Sequence, residues 1–324
     1  MQTASAQGLH VLVTGGAGFI GSHAVDRLVA AGCRVVVLDD FSTGRRDNLA
    51  RWAGDRRVEI VEADVAEDLT GPLAAAAGFD AILHLAARAA AARSVEDPLG
   101  DLRVNYGGSA RVLEYARRSG VNNIVFASSS AVYGDAVDLP ISEEAATRPL
   151  SPYGVNKLAS EHLLGCYGST WGLSWTAFRF FNVYGPRQQP GSPYSGVISV
   201  FARQAFAGEP LTIDGDGGQT RDFVFVADVV EALVRACLER AGAGRIMNLG
   251  TGVETSINGL ARLIIELSGS RSESRHGSSR AGDIRRSVAR IERAGQALSY
   301  APTVGLPDGL SRTLSWLRDS MAEL

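Results

Sequence analysis

Residues 10–21 read HVLVTGGAGFIG, an apolar, β-branched run that leads directly into a glycine-rich turn. The run 10–14 predicts a strand, and the apolar spacing of 20–31 predicts a helix that begins where the turn ends. Three glycines stand three residues apart in this turn: Gly15, Gly18 and Gly21. This order fits the fingerprint of a dinucleotide site, which needs a tight turn, close approach of the backbone to a pyrophosphate and close helix–strand packing. The free N–H groups at the start of the helix would then face the phosphates.

The second predicted strand ends in an acidic pair, and its first member, Asp39, is placed to bind the ribose of such a ligand. A carboxylate there hydrogen-bonds the adenosine ribose diol and repels a 2′-phosphate, so the pattern favours NAD over NADP. Arg45 and Arg46 lie close by in sequence and leave that choice open. Asp40 is either a further contact or a solvated turn residue. Asp64, after the third predicted strand, is either an adenine contact or a turn aspartate.

Strand-like and helical patterns alternate along the first half of the chain. Further strands are predicted at 34–38, 58–61, 81–85, 123–127 and 176–180, and helices at 101–118 and 153–170. Continuous apolar strands separated by helices indicate a parallel sheet covered on both faces, and therefore a doubly wound α/β fold. Later in the chain, glycine- and proline-rich segments at 184–193 and 214–218 predict loops that line a site. The polar segment 268–279 predicts another loop.

Composition excludes several classes of function. The net charge of −3, with 45% hydrophobic and 21% charged residues, gives no reason to expect a nucleic acid or an anionic membrane as partner. Three widely spaced cysteines fit no metal-ligand spacing and are interpreted as apolar fillers, so no metal site is predicted: Cys33, Cys166 and Cys237. The first eight residues show no signal-peptide pattern, and no segment is apolar enough to span a membrane. A cytoplasmic location is predicted.

The chain contains a single lysine, Lys157, although its Lys and Arg residues number 32. It follows Tyr153 by four residues within a predicted helix, which places the phenol and the ammonium on the same face. A nearby cation favours the phenolate and lowers the tyrosine's pKa, and arginine is a poor substitute for a compact ammonium. Three serines, 128–130, stand at the carboxyl end of a predicted central strand, where open α/β sheets bind ligands. The pattern indicates an acid–base site, and the alternative is a lysine placed on the surface by chance.

These motifs together resemble the extended short-chain dehydrogenase/reductase family, and within it the NAD-dependent nucleotide-sugar epimerases. The resemblance covers nearly the whole chain and rests on Asn105 and on the segments 15–21, 84–87, 128–134, 153–157, 179–187 and 219–222. It implies a Rossmann-type NAD-binding domain over 1–181, to which 223–250 returns. It also implies a smaller mixed α/β lobe for the nucleotide sugar over 182–222 and 251–324, and a homodimer.

The resemblance further implies roles for individual residues. Tyr153 would be the base that moves the proton, Lys157 the anchor of the nicotinamide ribose, and Ser129 the hydroxyl that binds the reacting sugar oxygen. The implied NAD contacts are Gly15, Gly18, Phe19, Ile20, Gly21, Asp39, Asp40, Ser42, Thr43, Gly44, Asp64, Val65, Leu85, Ala86, Ala87, Asn105, Ala127, Ser128, Tyr153, Lys157 and Phe181. The implied contacts with a UDP-sugar are Ser129, Ser130, Tyr153, Asn182, Val197, Ile198, Leu211, Ile213, Arg221, Arg280, Asp283 and Ser287. Within that set, the resemblance implies that the diphosphate is bound by Asn182, Arg221 and Arg280. It implies that the uridine ribose is bound by Asp283 and uracil by the backbone of 211–213.

The implied reaction is inversion at C4 of a UDP-hexose, UDP-glucose or UDP-galactose, by transient hydride transfer to NAD through a 4-keto sugar. The tyrosine's pKa must then fall from ~10 to ~7, which requires roughly 4 kcal/mol. One cation about 5 Å away contributes on the order of 3 kcal/mol. Lys157 and the oxidised nicotinamide are therefore expected to suffice.

Departures from the subfamilies narrow the substrate. Sugar 4,6-dehydratases carry Asp-Glu where this chain has Ser130 and Ala131, and uronate decarboxylases usually keep a glutamate there. Uronate 4-epimerases typically show Thr and Arg where this chain has Asn182 and Gln189. The small Ser287 leaves room for an N-acetyl group at C2. The alternatives that stay open are UDP-N-acetylglucosamine, UDP-glucuronate and dTDP-sugar 4-epimerases, and a non-catalytic, NAD-binding redox sensor.

Overall fold

The computed structural model describes residues 8–189, 196–279 and 282–322. The strands in these ranges are β1 (His10–Thr14), β2 (Arg34–Asp39), β3 (Val58–Glu62), β4 (Ala81–His84), β5 (Ile124–Ser129), β6 (Trp175–Phe180), β7 (Asn182–Tyr184), β8 (Leu211–Asp214), β9 (Thr220–Arg221), β10 (Phe223–Phe225), β11 (Arg245–Leu249), β12 (Thr255–Ser256) and β13 (Ser274–Gly277). The α-helices are α1 (Phe19–Ala30), α2 (Ala91–Glu96), α3 (Pro98–Asp101), α4 (Gly108–Ser119), α5 (Pro152–Trp171), α6 (Val197–Ala207), α7 (Val226–Glu239), α8 (Ile257–Ser268), α9 (Glu292–Leu298) and α10 (Leu306–Ala322).

Seven parallel strands form the central sheet, in the order β11-β6-β5-β4-β1-β2-β3. The chain starts in the middle of the sheet and builds outward first on one side of β1 and then on the other. The crevice at the carboxyl ends of β1 and β4 is therefore the switch point at which open α/β sheets bind ligands. The predicted doubly wound parallel α/β fold is confirmed.

Alternation along the strands divides the core between two layers. Val11 and Val13 of β1 pack with apolar residues of α1 and α7, whereas Leu12 packs on the other face with residues of α4 and α5. Because successive side chains of a strand point to opposite faces, an uninterrupted apolar run supplies both layers at once. The apolar strands in the sequence therefore indicated a sheet buried on both sides.

The predicted helix 101–118 is not one regular helix. It consists of the end of α3, a π-helical stretch at Leu102–Gly107, and α4. Within the stretch, the carbonyl oxygen of Asn105 accepts a hydrogen bond at 2.6 Å from the Ser109 hydroxyl one turn later. Such π-helical turns occur often at functional sites, and Asn105 is one of the residues assigned to the NAD site.

In the described part of the chain, three two-stranded sheets lie outside the central one: β7 with β10, β8 with β13, and β9 with β12. β13 falls within 268–279, so the prediction of a loop is wrong for Ser274–Gly277. All four residues are exposed, and their parallel pairing with β8 depends on backbone groups rather than on an apolar pattern. β11 pairs with β6 in the central sheet, whereas the division of the chain into two lobes stays a prediction.

No helix within the described ranges is long and apolar enough to cross a membrane.

Candidate active site

The turn between β1 and α1 has no room for side chains. Gly15 adopts a φ of 70°, and a Cβ there would lie 2.7 Å from the backbone nitrogen of Ala86. A Cβ on Gly21 would lie 2.0 Å from the carbonyl oxygen of Gly15. Helix α1 starts with no side-chain cap and no acidic residue in its first turn. Its first N–H groups are therefore open to an anion, which fits the pyrophosphate of a dinucleotide.

Asp39 ends β2 beside this turn and is buried. Its carboxylate accepts hydrogen bonds from the backbone N–H groups of Ala17 and Phe41, both at 2.9 Å. Burial raises the pKa of Asp39, and these two hydrogen bonds lower it. A Cβ on Gly44 would lie 2.7 Å from Oδ1 of Asp39, so the loop after β2 closes around this carboxylate. The remaining lone pairs suit the hydroxyl groups of a ribose.

The two arginines that left the choice of cofactor open are both engaged by carboxylates. The guanidinium carbon of Arg46 lies 4.1 Å from the centroid of the Phe41 ring, and Arg46 also pairs with Glu62. Arg45 pairs with Asp47 at 2.9 Å. A guanidinium that already pairs with a carboxylate is a weaker partner for a 2′-phosphate. The local contacts therefore agree with NAD.

Asp40 and Asp64, each interpreted either as an NAD contact or as a turn residue, both accept hydrogen bonds of the kind found in turns. Asp40 accepts hydrogen bonds from the N–H and the hydroxyl of Ser42, at 3.0 and 2.6 Å. Asp64 accepts one from the N–H of Ala66 at 2.9 Å and one from Arg103 at 2.7 Å. Nothing in the sequence indicated that Asp64 would pair with Arg103, which is 39 residues away along the chain. An additional contact of either carboxylate with NAD stays a prediction.

The other residues assigned to NAD follow the carboxyl ends of the strands that surround the glycine turn. They are Phe19 and Ile20 at the start of α1, Ser42, Thr43 and Gly44 after β2, Val65 after β3, Leu85, Ala86 and Ala87 after β4, Ala127 and Ser128 at the end of β5, Asn105 before α4, and Phe181 between β6 and β7. Phe181 is buried and packs against Tyr133, with the ring centroids 6.5 Å apart. These residues therefore lie at the carboxyl ends of the strands, on the same side of the sheet as the glycine turn.

The residues predicted to be catalytic meet where β5 ends against α5. Ser129 is the last residue of β5, and its hydroxyl oxygen accepts a hydrogen bond from the Ala131 N–H at 3.2 Å. Tyr153 lies in the first turn of α5, where its phenol is close enough to the Ser129 hydroxyl for that group to lower the pKa of Tyr153. Lys157, one turn later, is 2% exposed, and its Nζ donates to the Ala127 carbonyl at 2.8 Å. This Nζ lies 5.9 Å from the centroid of the Tyr153 ring.

The start of α5 is specified by its own sequence. Ser151 caps the helix by accepting a hydrogen bond from the Gly154 N–H at 3.2 Å, and Pro152 occupies the first position. A Cβ on Gly154 would lie 2.7 Å from the carbonyl oxygen of Ala131. The helix therefore approaches the end of β5 closely enough for Tyr153 to reach its serine partner.

Burial dominates the charge states of this set. It raises the pKa of Tyr153 to about 12, although the neighbouring Ser129 hydroxyl acts in the opposite direction. Burial lowers the pKa of Lys157 to about 8, against the carboxylates of Asp101 and Glu161, which raise it. The sequence predicted that Lys157 lowers the pKa of Tyr153. In the folded chain the desolvation of the phenol outweighs that effect, so the phenolate needs more than this one cation near neutral pH.

Behind the catalytic set lies a buried polar network that the sequence did not indicate. Asp101 is 1% exposed and accepts hydrogen bonds from the side-chain amides of Asn105 at 2.8 Å and Asn156 at 2.7 Å. Asn105 accepts one in turn from the Arg88 N–H at 3.0 Å. His84 is buried nearby, and its burial lowers its pKa to about 3, so it is neutral. The one available signal was spacing, since Asp101 precedes Asn105 by four residues.

On the substrate side, Arg221 and Asp283 contact each other. The Nη2 of Arg221 donates to Oδ1 of Asp283 at 2.5 Å, and its Nη1 donates to the Ile284 carbonyl at 2.7 Å. The resemblance to nucleotide-sugar epimerases implied that Arg221 binds the diphosphate and Asp283 the ribose, and the ion pair shows that the two side chains lie together. Asn182 begins β7, and its N–H donates to the Asp222 carbonyl at 2.9 Å. Arg280 lies outside the described residues.

The assignment of uracil to the backbone of 211–213 stays a prediction, and strand β8 shows which of these backbone groups are already paired. Leu211 and Ile213 are buried, and the register of the strand turns their backbone groups toward β13, where the Leu211 N–H donates to the Glu273 carbonyl at 2.8 Å. Thr212 faces the opposite edge, and its N–H donates to the side chain of Gln204 at 3.2 Å. Of these three residues, Thr212 is therefore the one whose backbone is directed away from the sheet. Period-two alternation within a paired strand is the reason.

The remaining residues assigned to the substrate are distributed over three segments. They are Ser130 in a 3₁₀ turn after β5, Val197 and Ile198 in the first turn of α6, and Ser287 between β13 and α9. Ile198 and Ser287 are buried, and Val197 is half-buried. Gln189 stands where uronate 4-epimerases typically have an arginine. Its side-chain amide donates a hydrogen bond to the Thr43 carbonyl at 2.8 Å. Thr43 belongs to the loop assigned to NAD.

Comparisons with known proteins agree with this site. A model of the NAD dependent epimerase/dehydratase family matches residues 11–250. A UDP-glucose 4-epimerase of Mycolicibacterium smegmatis is 43% identical over 313 residues, which cover 96% of this chain and 99% of the relative.

Solved structures are similar over the full length. A UDP-glucose 4-epimerase of Thermotoga maritima, with UDP-glucose, has a TM-score of 0.91 at 36% identity and covers 97% of this chain and 100% of its own. A UDP-N-acetylglucosamine 4-epimerase of Methanobrevibacter ruminantium, in complex with UDP-N-acetylmuramic acid, has a TM-score of 0.92 at 32% identity, with the same coverage. A family model that spans more than half of the chain, and relatives that match it end to end, lead to one assignment: the chain belongs to the NAD-dependent epimerase/dehydratase family, and its cofactor is NAD.

Proposed function

We propose that this enzyme is a nucleotide-sugar 4-epimerase that inverts C4 of a UDP-hexose and interconverts UDP-glucose and UDP-galactose. The observation that carries the proposal is the convergence of Ser129, Tyr153 and Lys157 at the end of β5. The two residues after Ser129 are Ser130 and Ala131, which supply neither the acid nor the base that the elimination of water requires. The site therefore has the groups for proton transfer at one hydroxyl and lacks those for dehydration at this position.

Each residue of the set has a separate task. Tyr153 takes the proton of the C4 hydroxyl and returns it after the keto sugar has presented its other face. Ser129 accepts a hydrogen bond from the Ala131 N–H, so its own O–H is directed to an oxygen, either the phenolate or the sugar oxygen at C4. Lys157 stabilises the phenolate electrostatically. When bound, NAD supplies the redox partner for C4, held at the glycine turn and Asp39.

The predicted second lobe would hold the nucleotide. Arg221 and Asn182 would hold the diphosphate, Asp283 the ribose, and the outward backbone edge at Thr212 the uracil. Arg221 and Asp283 pair with each other, so a UDP group exchanges this contact for one with a phosphate and one with a hydroxyl. The structure of the similar Thermotoga maritima enzyme contains UDP-glucose, which supports a UDP group here.

Incubation with a panel of nucleotide sugars tests this function. NMR of the sugar ring should show inversion at C4 of UDP-glucose and UDP-galactose, with no keto product released. Tyr153→Phe is the matched control, since it retains the ring and removes only the proton carrier. Release of a 4-keto-6-deoxy sugar, or the absence of any inversion across the panel, would refute the proposal.

One observation favours a second substrate, UDP-N-acetylglucosamine. Ser287 is small and only 7% exposed, so the wall that the sequence assigns to the C2 substituent carries little bulk. The similar Methanobrevibacter ruminantium protein is a UDP-N-acetylglucosamine 4-epimerase. The same panel should therefore include the acetamido sugars. UDP-glucuronate is disfavoured, since Gln189 carries no charge for a C5 carboxylate and contacts Thr43 instead.

A homodimer in the cytoplasm completes the proposal. Three exposed apolar side chains, Val95, Leu99 and Leu102, lie on α2, α3 and the π-helical stretch, and Val155 of α5 is exposed as well. Helices α2, α3 and α5 pack against one another, so these residues lie on neighbouring elements. Exposed apolar groups of this kind mark contact surfaces. Leu99→Arg should convert the dimer to a monomer in sedimentation, whereas Val137→Arg, at an exposed apolar residue elsewhere, should leave it a dimer.

A further inference from the structure

Helix α5 carries three polar side chains at a spacing of four residues, and each contacts a different residue at the end of β5. The pairs are Tyr153 with Ser129, Lys157 with Ala127, and Glu161 with Ser128. The first two belong to the proposed reaction, and the third has no role in it so far. Glu161 accepts the hydrogen bond of the Ser128 hydroxyl at 2.5 Å and is one turn beyond Lys157.

Glu161 is also half of a buried ion pair with Arg179 of β6. The guanidinium donates from Nε to Oε1 at 2.9 Å and from Nη2 to Oε2 at 2.6 Å, with side-chain exposures of 5% and 2%. Arg179 stands directly beside Ser128 in the register of β5 with β6. Its guanidinium also lies 4.7 Å from the centroid of the Tyr133 ring. The pair therefore joins α5 to two central strands at one point.

Stability is a weak explanation for this pair. The desolvation of two buried charges can equal or exceed their attraction, and well-packed apolar replacements are often neutral or stabilising. Planar, bidentate contacts of arginine with carboxylate instead define orientation. The carboxylate of Glu161 also raises the pKa of Lys157 and so opposes the effect of burial on the catalytic ammonium.

We propose that Glu161 and Arg179 are positioning residues for the reaction, which together set the depth and angle at which α5 presents Tyr153 and Lys157 to the end of β5. The inference rests on the proposed 4-epimerase function. Both residues act through α5 and β5 rather than on the sugar itself. The other charged or titratable groups that face Lys157 are Asp101 at the end of α3 and His84 of β4.

Removal of both charges at once tests the positioning role without leaving an uncompensated charge in the core. The double variant Glu161→Leu/Arg179→Met should fold, retain bound NAD and keep KM near the wild-type value. Its kcat should fall by about a hundredfold, since a misplacement of about 1 Å in a catalytic group costs that much. Glu114→Gln is the matched control for a carboxylate in an ion pair, because Glu114 pairs with Arg117 on the surface of α4, and its kcat should not change.

The pH profile separates positioning from a general loss of structure. In Glu161→Gln a negative charge near Lys157 is lost while Arg179 stays positive, so the pKa of Lys157 falls. The alkaline limb of kcat should therefore move to lower pH. Ser128→Ala is the milder variant if the others do not fold: it removes one hydrogen bond to Glu161 and should lower kcat by about fivefold to tenfold.

A spectrophotometric titration of tyrosine in the NAD-loaded protein requires no sugar and separates this inference from the proposed function. The difference between the protein and its Tyr153→Phe variant reports the ionisation of Tyr153. In the double variant, which removes one charge of each sign, a displaced Tyr153 should titrate at a different pH, even if wild-type protein inverts none of the sugars tested. An unchanged Tyr153 titration, or a folded double variant with wild-type kcat, overturns the positioning role.

Discussion

Replacement of Lys157 by methionine should move the acid limb of the kcat–pH profile to higher pH by about two units. The Nζ of Lys157 lies 5.9 Å from the centroid of the Tyr153 ring. At an effective dielectric constant near 20, one positive charge at that distance stabilises the phenolate by about 3 kcal/mol, which corresponds to about two pKa units. In the proposed mechanism the active base is the phenolate, so activity is present above the pKa of Tyr153 and is lost as the pH falls through it.

Methionine is the appropriate replacement because it fills a similar volume in a site where the lysine is 2% exposed. At a pH below both limbs, kcat should be lower by about a hundredfold, and the loss should diminish as the pH rises past the new limb. The assay is C4 inversion followed from about pH 5 to pH 10 on protein whose NAD content and melting temperature are measured first. Arg117→Met is the control, because that cation also lies over an aromatic ring, Trp171, but far along α5.

One result would refute the electrostatic reasoning. If Lys157→Met lost activity equally at every pH, with the acid limb unmoved, Lys157 would act as an anchor for the ribose and not as the cation that stabilises Tyr153. A limb that moved to lower pH would contradict the sign. Loss of NAD from the variant would be detected before the assay, and the profile is then measured with saturating NAD.

Three further substitutions have definite expectations. Tyr153→Phe should lower kcat by at least about a hundredfold with bound NAD unchanged, since acid–base groups are worth that much, and near-normal turnover would exclude it as the base. Ser287→Tyr should reduce turnover of N-acetylated sugars more than about tenfold relative to UDP-glucose, and equal losses on both would show that Ser287 does not line C2. Gly21→Ala should reduce the affinity for NAD about tenfold or more, because its Cβ would lie 2.0 Å from the Gly15 carbonyl oxygen. If that variant retained NAD through gel filtration, the glycine turn between β1 and α1 would not be the NAD-binding site.

Much of the fold could be predicted because its signals are local. The strands of the central sheet are buried on both faces, so each reads as an apolar run, and six of them were predicted with bounds close to those observed. The turn at Gly15–Gly21 was recognisable because backbone contacts leave no room for a Cβ at either end. β13 escaped prediction because its residues are exposed and carry no apolar pattern.

The meeting of Tyr153 and Lys157, the proposed catalytic pair, was predictable for a different reason. Tyr153 and Lys157 are one turn apart on a single helix, so their proximity follows from helical geometry alone. Arg179 and Glu161 are 18 residues apart and belong to different elements, and nothing in their spacing indicated that they pair. The same holds for Asp101 and Asn156, whose side chains are 55 residues apart in sequence and 2.7 Å apart in space.

The sequence by itself determined the order of strands and helices, the glycine turn and the chemical groups of the site, because each depends on residues that are neighbours along the chain. Only the tertiary structure decided which partners those groups have and how they ionise. Arg221 was assigned to a phosphate from the sequence, and the fold revealed its ion pair with Asp283. Tyr153 was expected near neutrality until its burial raised its pKa to about 12. Desolvation and contacts between distant segments arise from packing, and packing is a property of the whole chain rather than of any one motif.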